Sequence, residues 1–346
     1  MKKIINDPAD VVTESLRGFA AAHADLVRVE YDPHVVIRAD APVAGKVAVI
    51  SGGGSGHEPL HGGFVGAGML DAAVPGAVFT SPTPDAVEAA VKATTGEAGA
   101  LLIVKNYTGD VLNFETAGEL AAAEGLDVRS VVIDDDVAVA DSTFTAGRRG
   151  VGGTVLLEKV TGAAAARGDS LDAVEALARK VIGQVRSIGV ALTAPTVPHV
   201  GSPSFELADN EIEFGIGIHG EPGRERIPLE PADTLVARMI DAVAEAGAGP
   251  RTAAGDNTDL PFASGDRVLL FTNSMGGTPQ LETYLAHGIA ERLLAERGIT
   301  VERRLVGPYI TSLEMQGISI TLLKLDDELT ELWDAPVNTA ALRWGV

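Results

Sequence analysis

The sequence contains no cysteine, so disulfide bonds, thiolate catalysis and cysteine-ligated metal sites are excluded. Aromatic residues make up only 4% of the chain, which leaves Val, Ile, Leu and Ala to fill a core. No apolar run approaches the roughly 18 residues that a membrane-spanning helix requires. The first residues, MKKIINDPADVV, lack the apolar segment of a signal peptide. These absences predict a soluble protein of the cytoplasm.

Positive charge is also scarce, because 27 Lys and Arg residues stand against 48 Asp and Glu residues, for a net charge of −21. A surface this acidic repels the phosphates of nucleic acids and of anionic lipids. We therefore expect neither a nucleic-acid partner nor a membrane partner. A neutral small molecule is compatible with this charge, whereas a strongly anionic ligand would require a local basic pocket.

Short apolar runs alternate with helical patterns in the first half of the chain. Buried strands are predicted at residues 46–51, 99–105 and 128–134, and helices between them at 84–93 and 111–124. An alternation of strand and helix is typical of a layered α/β domain with a largely parallel sheet.

A second α/β domain is predicted in the remainder of the 346 residues, a length that corresponds to about two domains. The run DRVLLFTNSMGGTP at residues 266–279 again predicts a strand that ends in a glycine loop. A helix at 280–297, a strand, a further helix and the strand SITLLKL at 319–325 are predicted after it. We place the N-terminal domain at 1–185 and the C-terminal domain at 186–346, each a mixed or largely parallel sheet flanked by helices.

The stretch SGGGSGHEPLHGG, Ser51 to Gly63, combines a glycine run with two histidines. Its letters HEPLH fit the H-E-x-x-H pattern of zinc proteases, which works only when a continuous helix places both histidines on one face. Pro59 lies between the histidines and glycines flank them, so we reject this interpretation and predict no metal site. The run GGGSGH also lacks the Lys of the phosphate-binding motif G-x-x-x-x-G-K-[ST] and the hydroxyl that follows it to bind the metal. A tight turn between two packed elements remains an alternative.

Polar residues follow the ends of the first two predicted strands. His57 and Glu58 come after the first strand, and Lys105 and Asp110 come after the second. Ligands of open α/β sheets bind at the carboxyl ends of the strands. If the two strands are neighbours, these residues form a site for a polar, uncharged ligand. The alternatives are a solvated surface charge for Lys105 and an N-cap for Asp110, at a helix that starts at Val111.

Two further features of the sequence, an acidic run and a histidine, are candidates for a site. The acidic run Asp134 to Asp136 is best interpreted as a solvated loop. His219 lies in IGIHGEPG beside small residues, and an accessible site histidine and an ordinary surface histidine fit this context equally well. The other histidines, His61 among them, have no comparable context.

Seven segments together resemble one family, the substrate-binding subunit of dihydroxyacetone kinase. In collinear order along the chain they are GGGSGHEP, GAVFTSPTPD, VKNYTGDVLNFE, DDDVAV, TAGRRGVGGT, FGIGIHGEPG and TSLEMQGISITLLKLDDE. The resemblance runs from the first residues to the end. It implies a homodimer of two-domain α/β subunits that binds dihydroxyacetone.

The resemblance also implies roles for individual residues. His219 would bind the carbonyl carbon of dihydroxyacetone covalently as a hemiaminal, a capture that selects ketoses over polyols. Asp110 would act as general base on the terminal hydroxyl, and His57 would orient the sugar and share in proton handling. The other substrate contacts would come from Gly54, Ser55, Gly56 and Lys105.

In the family the nucleotide lies on a separate domain or subunit. We therefore expect no cofactor on this chain, with ADP or ATP and Mg²⁺ on a partner subunit and with a phosphocarrier protein that delivers phosphate from phosphoenolpyruvate. Single-chain relatives carry the nucleotide domain after the position of Val346, where this sequence stops. The alternatives are a kinase subunit for another small ketose such as erythrulose, and a non-catalytic ketose-binding co-activator. Both His57 and Asp110 are present, which favours the enzyme.

Overall fold

The computed structural model describes residues 2–138, 146–221, 223–244 and 262–346. The chain forms two compact units. The first comprises Met1–Val132, Leu157–Lys180 and Glu331–Val346, and the second comprises Ile133–Leu156 and Val181–Thr330. The division into 1–185 and 186–346 stays a prediction, since the compact units follow the chain differently and each is discontinuous.

Helices and strands are mixed along the described residues. The α-helices are α1 (Val11–Ala22), α2 (Pro84–Thr94), α3 (Thr108–Ala123), α4 (Gly153–Arg167), α5 (Leu171–Gln184), α6 (Ala232–Ala244), α7 (Gln280–Glu296) and α8 (Asp327–Asp334). The strands are β1 (Val27–Tyr31), β2 (His34–Arg38), β3 (Ala48–Ser55), β4 (Gly66–Ala67), β5 (Ala72–Val78), β6 (Ala100–Lys105), β7 (Val128–Ile133), β8 (Val185–Ala191), β9 (Glu211–Phe214), β10 (Glu225–Pro228), β11 (Arg267–Ser274), β12 (Thr300–Gly307), β13 (Gly317–Leu325), β14 (Val337–Thr339) and β15 (Arg343–Trp344).

The first six-stranded sheet has the order β1-β2-β5-β3-β6-β7. Its centre is parallel, since β3 pairs in parallel with both β5 and β6, while β1 and β2 form an antiparallel hairpin. The parallel pairing of β3 with β6 confirms the neighbour relation on which the predicted site depends.

The second six-stranded sheet has the order β10-β9-β8-β13-β11-β12. Here β11 pairs in parallel with β12, but β13 is antiparallel to both β8 and β11. A third, three-stranded sheet joins β15, β14 and β4. The expectation of two α/β domains with mixed or largely parallel sheets is confirmed.

Apolar side chains at helical spacing explain how α2 and α3 cover the first sheet. Val87 and Val91 on α2, and Phe114 and Ala121 on α3, are fully buried in one cluster with strand residues such as Leu102. Each large apolar side chain removed from water contributes about 1.5–3 kcal/mol. Because the strands are buried, their sequences are continuous apolar runs rather than alternating ones.

Two local predictions are wrong. Strand β3 does not end at Ser51 but continues through the glycines to Ser55, so the presumed glycine loop is largely strand. Residues 308–316, between β12 and β13, form turns and bends instead of the predicted helix. This segment starts with Pro308 and includes Leu313 at φ 53°, a left-handed conformation that a helix does not contain. Within the described residues, no helix is long and apolar enough to cross a membrane.

Candidate functional site

The glycines of β3 make room for neighbouring groups. A Cβ atom on Gly53 would lie 2.2 Å from Lys105 Nζ, and one on Gly54 would lie 2.6 Å from the backbone nitrogen of Thr80. Both distances are far below van der Waals contact. The next residue, Ser55, is buried and donates its hydroxyl to the carbonyl of Gly76 at 2.7 Å. The glycine run is therefore required by close packing at the end of the strand.

His57 follows the strand and is fully buried. Its ring stacks on Phe79, with ring centroids 5.0 Å apart and planes inclined by 15°. Phe79 has φ 56°, an uncommon conformation for a bulky side chain, and such outliers concentrate at functional sites. Phe79 is a site residue that sequence reasoning missed. It lies in the segment GAVFTSPTPD, which carries part of the family resemblance, beside the turn residues TSPTP.

The two histidines of HEPLH have different partners. Residues 57–61 form turns and no helix, His57 stacks on Phe79, and His61 contacts Glu158. The geometry that a zinc protease needs is therefore absent from this segment. Across the described ranges, from 2–138 to 262–346, no group of three or more His, Asp or Glu residues is arranged to hold a metal ion.

Lys105 and Asp110 lie together in the first unit. Lys105 is the last residue of β6 and is completely buried, which rules out a solvated surface charge. Asp110 lies in the first turn of α3, where the helix dipole favours a carboxylate. Since α3 begins at Thr108, Asp110 is not the N-cap of a helix starting at Val111. Lys105 Nζ and Asp110 Oδ2 are 3.9 Å apart, and the buried Asp110 Oδ1 accepts no hydrogen bond from the described residues.

Lys105 is held by groups that the sequence analysis did not select. Its Nζ donates to the carbonyl of Gly52 at 3.1 Å and lies 2.7 Å from His61 Nε2. On the other side of the ring, His61 Nδ1 lies 2.6 Å from Glu158 Oε1. Glu158 is on α4, 97 residues further along the chain, and no local pattern connects the two.

Burial shifts the pKa values in this group. Desolvation lowers the pKa of His61 well below its usual value, and the charges of Lys105 and His57 act in the same direction. Desolvation also lowers the pKa of Lys105, against the attraction of Asp110 and Glu158. Burial raises the pKa of Glu158 to about 8, although Lys105 opposes this. His61 is therefore neutral, and the proton affinities of Lys105 and Glu158 approach each other.

His219 belongs to the second unit, in the segment after β9. Its ring is partly exposed, with a side-chain accessibility of 15%, and its Nδ1 lies 3.8 Å from Glu221 Oε1. The backbone N–H of His219 donates to the other carboxylate oxygen of Glu221 at 2.8 Å. Burial alone would raise the pKa of Glu221, but hydrogen bonding to His219 and the charges of His219 and Arg149 lower it to about 2. An ionised carboxylate thus faces the imidazole.

The run Asp134 to Asp136 is buried, so its interpretation as a solvated loop is wrong. Asp135 accepts hydrogen bonds from the backbone N–H groups of Val151 and Gly153, at 2.8 and 2.6 Å. Asp136 accepts from the fully buried Arg149, whose Nε is 2.8 Å away. Arg149 also lies 3.7 Å from Glu221. Arg149 thus links Asp136 to Glu221.

The predicted site residues therefore fall into two groups. Those of the first unit are Gly54, Ser55, Gly56, His57, Lys105 and Asp110. His219 lies in the second unit, with Glu221 and Arg149 as neighbours that the sequence analysis did not select.

These features define an α/β protein of two units with buried, charged side chains at the ends of parallel strands. The sequence model of the Dak1 domain family matches residues 17–341 of this chain. The chain belongs to the Dak1 domain family.

Individual relatives agree with this membership. The chain is 56% identical to the dihydroxyacetone-binding subunit DhaK of the PEP-dependent dihydroxyacetone kinase of Escherichia coli (strain K12), with both chains covered in full. The structure is similar to that of the dihydroxyacetone kinase from C. freundii in complex with AMP-PNP and Mg²⁺, with a TM-score of 0.85 and 34% identity over 99% of this chain and 61% of that one. It is also similar to the dihydroxyacetone kinase operon co-activator DhaQ, with a TM-score of 0.84 and 33% identity over 95% of this chain and 96% of that one.

Proposed function

We propose that this chain is the substrate-binding and catalytic subunit of a dihydroxyacetone kinase that depends on phosphoenolpyruvate. The full-length identity of 56% to a subunit of that name supports the assignment. The observation that carries the catalytic part is the buried Asp110, whose Oδ1 accepts no hydrogen bond from the described residues and whose Oδ2 faces Lys105. A carboxylate kept in this way is able to accept a proton from a substrate hydroxyl.

Covalent capture takes place at His219. The carboxylate of Glu221 beside Nδ1 favours a proton on that nitrogen, which leaves a lone pair on Nε2. The Nε2 lone pair attacks the carbonyl carbon, the C=O π electrons move to oxygen, and the proton that leaves Nδ1 is transferred through solvent to this oxygen. The product is a hemiaminal, and no water is lost.

Phosphorylation then proceeds at a terminal hydroxyl of the captured sugar. Asp110 removes the hydroxyl proton as the oxygen attacks phosphorus, the bond between phosphorus and the donor oxygen breaks, and the leaving group stays with the donor protein. A base in this role contributes typically about 10²–10⁴-fold. Lys105 provides positive charge next to Asp110, and His57 orients the sugar. The remaining contacts come from the backbone of Gly54, Ser55 and Gly56.

The phosphoryl donor is supplied by another protein. A nucleotide and Mg²⁺ would supply the phosphoryl group and neutralise its charge during the transfer, and we place both on a nucleotide-binding partner subunit that a phosphocarrier protein recharges. The E. coli relative, which matches over its whole length, is named as PEP-dependent, and this supports the same route here. The functional form in this proposal is a cytoplasmic homodimer.

The proposal is tested with purified components. Native mass spectrometry of the chain with dihydroxyacetone should show an adduct that carries the whole mass of the sugar, and His219→Ala should abolish it. Asp110→Asn should retain the adduct but lose at least about 10²-fold in turnover, because an amide does not accept the proton. The chain with ATP and Mg²⁺ alone should form no product, and the nucleotide-binding subunit with its phosphocarrier should restore turnover. Steady turnover by the isolated chain, or an intact adduct in His219→Ala, contradicts the proposal.

A non-catalytic co-activator is the second candidate. The co-activator DhaQ is nearly as similar in fold as the kinase structure, with TM-scores of 0.84 and 0.85, so the fold does not separate the two functions. The burial of Asp110 next to Lys105 favours the enzyme, since capture at His219 alone does not need a base. A chain that forms the adduct but gives no product with any donor subunit would favour the co-activator.

A further inference from the structure

Glu158, His61 and Lys105 form a continuous hydrogen-bonded line in the interior of the first unit. The contacts are 2.6 Å from Glu158 Oε1 to His61 Nδ1 and 2.7 Å from His61 Nε2 to Lys105 Nζ. Glu158 and Lys105 are completely inaccessible, and His61 is 5% exposed. The line ends 3.9 Å from Asp110, so it connects a remote carboxylate to the proposed catalytic base.

In each charge state of Lys105, the available donors fix the direction of the hydrogen bonds. An ammonium group on Lys105 has only N–H donors, so His61 Nε2 must accept. The single proton of the neutral imidazole then lies on Nδ1 and is donated to ionised Glu158. The reverse arrangement is equally consistent: protonated Glu158 donates to Nδ1, and Nε2–H donates to an uncharged Lys105 amine.

These two arrangements contain the same number of protons. Going from the first to the second, Lys105 gives one proton to His61 Nε2, and His61 Nδ1 gives one to Glu158. The ammonium and the carboxylate are neutralised together, and the net charge of the three residues stays at zero. Since a buried charge is expensive unless it is paired, such a shift responds to any change in the charge of the neighbouring Asp110.

We propose that Glu158 and His61 are positioning residues that set the charge and the direction of Lys105 beside Asp110 during phosphorylation. This inference rests on the proposed function of the chain as a kinase subunit. While Asp110 is ionised, the ammonium form of Lys105 is its counter-ion. When Asp110 takes the hydroxyl proton, the ammonium loses this partner, and the shift of a proton to Glu158 removes the unpaired charge.

The glycine at position 53 supports this assignment independently. A Cβ there would lie 2.2 Å from Lys105 Nζ and 3.4 Å from His61 Nε2. The strand thus carries no side chain at the point where the ammonium meets the imidazole. The pKa directions agree as well, because desolvation lowers the pKa of Lys105 and raises that of Glu158 to about 8.

The test is the variant Glu158→Gln, which keeps the size of the side chain and removes its charge. Glu158 raises the pKa of Lys105. At the effective dielectric constant of a protein interior, loss of an opposite charge one imidazole ring away lowers the pKa of a lysine by about one unit or more. We expect the titration midpoint of Lys105 to fall by that amount. The midpoint is measured by ¹³C NMR of protein with labelled lysine, and the Lys105 signal is assigned by its absence in Lys105→Met. The alkaline limb of kcat in the reconstituted kinase assay should move to lower pH with it, while the adduct at His219 stays unchanged.

A matched control is available in the same unit. Asp71 is also a buried carboxylate bound to a lysine, since it lies 2.5 Å from Lys46 Nζ and accepts from the N–H of Val49 at 2.8 Å. Asp71→Asn should leave the Lys105 midpoint and the pH profile as in wild type.

A second pair of variants serves if Glu158→Gln does not fold. These are His61→Leu and His61→Gln, which change the middle of the line instead of its end. The leucine side chain accepts no hydrogen bond, so His61→Leu should reproduce the shift. The glutamine amide both accepts and donates, so His61→Gln should restore the profile in part.

An unchanged Lys105 midpoint in folded Glu158→Gln overturns the inference. A midpoint that falls while the alkaline limb of kcat stays in place also overturns it. If the wild-type chain gives no product with its partner subunits, the proposed function fails, and the midpoint of Lys105 still decides whether Glu158 sets its charge.

Discussion

The substitution Gly53→Ala tests how closely Lys105 is confined. The added Cβ would lie 2.2 Å from Nζ, whereas ordinary contact begins near 3.4 Å, so the ammonium would have to retreat by about 1.2 Å. A lysine head moves easily when it is exposed, but Lys105 is completely buried and hydrogen-bonded to Gly52 and His61. Disturbing one hydrogen bond to a charged group costs about 1.5–3 kcal/mol. If that loss falls on the transition state, kcat/KM decreases about 10- to 150-fold.

The assay is steady-state turnover in the reconstituted system, with the native mass of the sugar adduct as a second readout. Gly62→Ala is the control, because a Cβ at Gly62 meets only Val36 Cγ2, at an ordinary 3.7 Å. We expect Gly62→Ala to behave as wild type and Gly53→Ala to form the adduct at His219 while losing turnover. Equal turnover by the two folded variants would refute the confinement of Lys105.

Two further predictions concern the second unit. Burial, assisted by the charge of Asp135, raises the pKa of Asp134 from 3.8 to about 7. Between these two pKa values the folded chain holds a proton that the unfolded chain has lost, so the free energy of unfolding decreases as pH rises. The variant Asp134→Asn should therefore be more stable than wild type by up to about 4 kcal/mol at pH 8. At pH 4 the two proteins should be equally stable. Equal differences in melting temperature at both pH values would contradict this. The variant Glu221→Gln should slow adduct formation at His219 about tenfold, because an amide holds the Nδ1 proton of the imidazole less firmly than a carboxylate does. Time-resolved native mass spectrometry measures this rate. An unchanged rate would show that Glu221 has no role in the capture step.

The sequence was sufficient to predict where β6 ends in the first unit. Lys105 and Asp110 were selected because they follow an apolar run, and the parallel pairing of β3 with β6 brings that strand end next to the glycine stretch. Patterns of this kind are local, but residues that follow the ends of two neighbouring parallel strands lie close together in the fold. The dihydroxyacetone kinase family was also predicted from motifs, and the match to the Dak1 domain over residues 17–341 confirms it.

Contacts between distant positions were beyond local patterns. Glu158 lies within an apolar helical run, VLLEKV, and nothing nearby indicates that it contacts His61. The relative direction of paired strands could not be predicted either, because an apolar run has the same pattern whether its neighbouring strand is parallel or antiparallel. The antiparallel pairings of β13 in the second sheet therefore had no signal in the sequence. The buried Asp134 to Asp136 run was misread for a related reason, since its partner Arg149 comes from another segment.

The glycine stretch was predicted correctly as part of the site, but the role predicted for its glycines was wrong. A loop of glycines suggests backbone N–H groups that surround a ligand, yet most of this stretch is strand, and its missing side chains leave space for Lys105 and for the chain at Thr80. In a protein with a net charge of −21, the ammonium group of Lys105 is buried inside the first unit, away from the acidic surface. Burial strengthens the interaction of this ammonium group with Asp110, because the attraction between two charges is weak in water and stronger in a medium of low polarity. The glycines thus serve the site by placing a cation next to a carboxylate where solvent does not screen them.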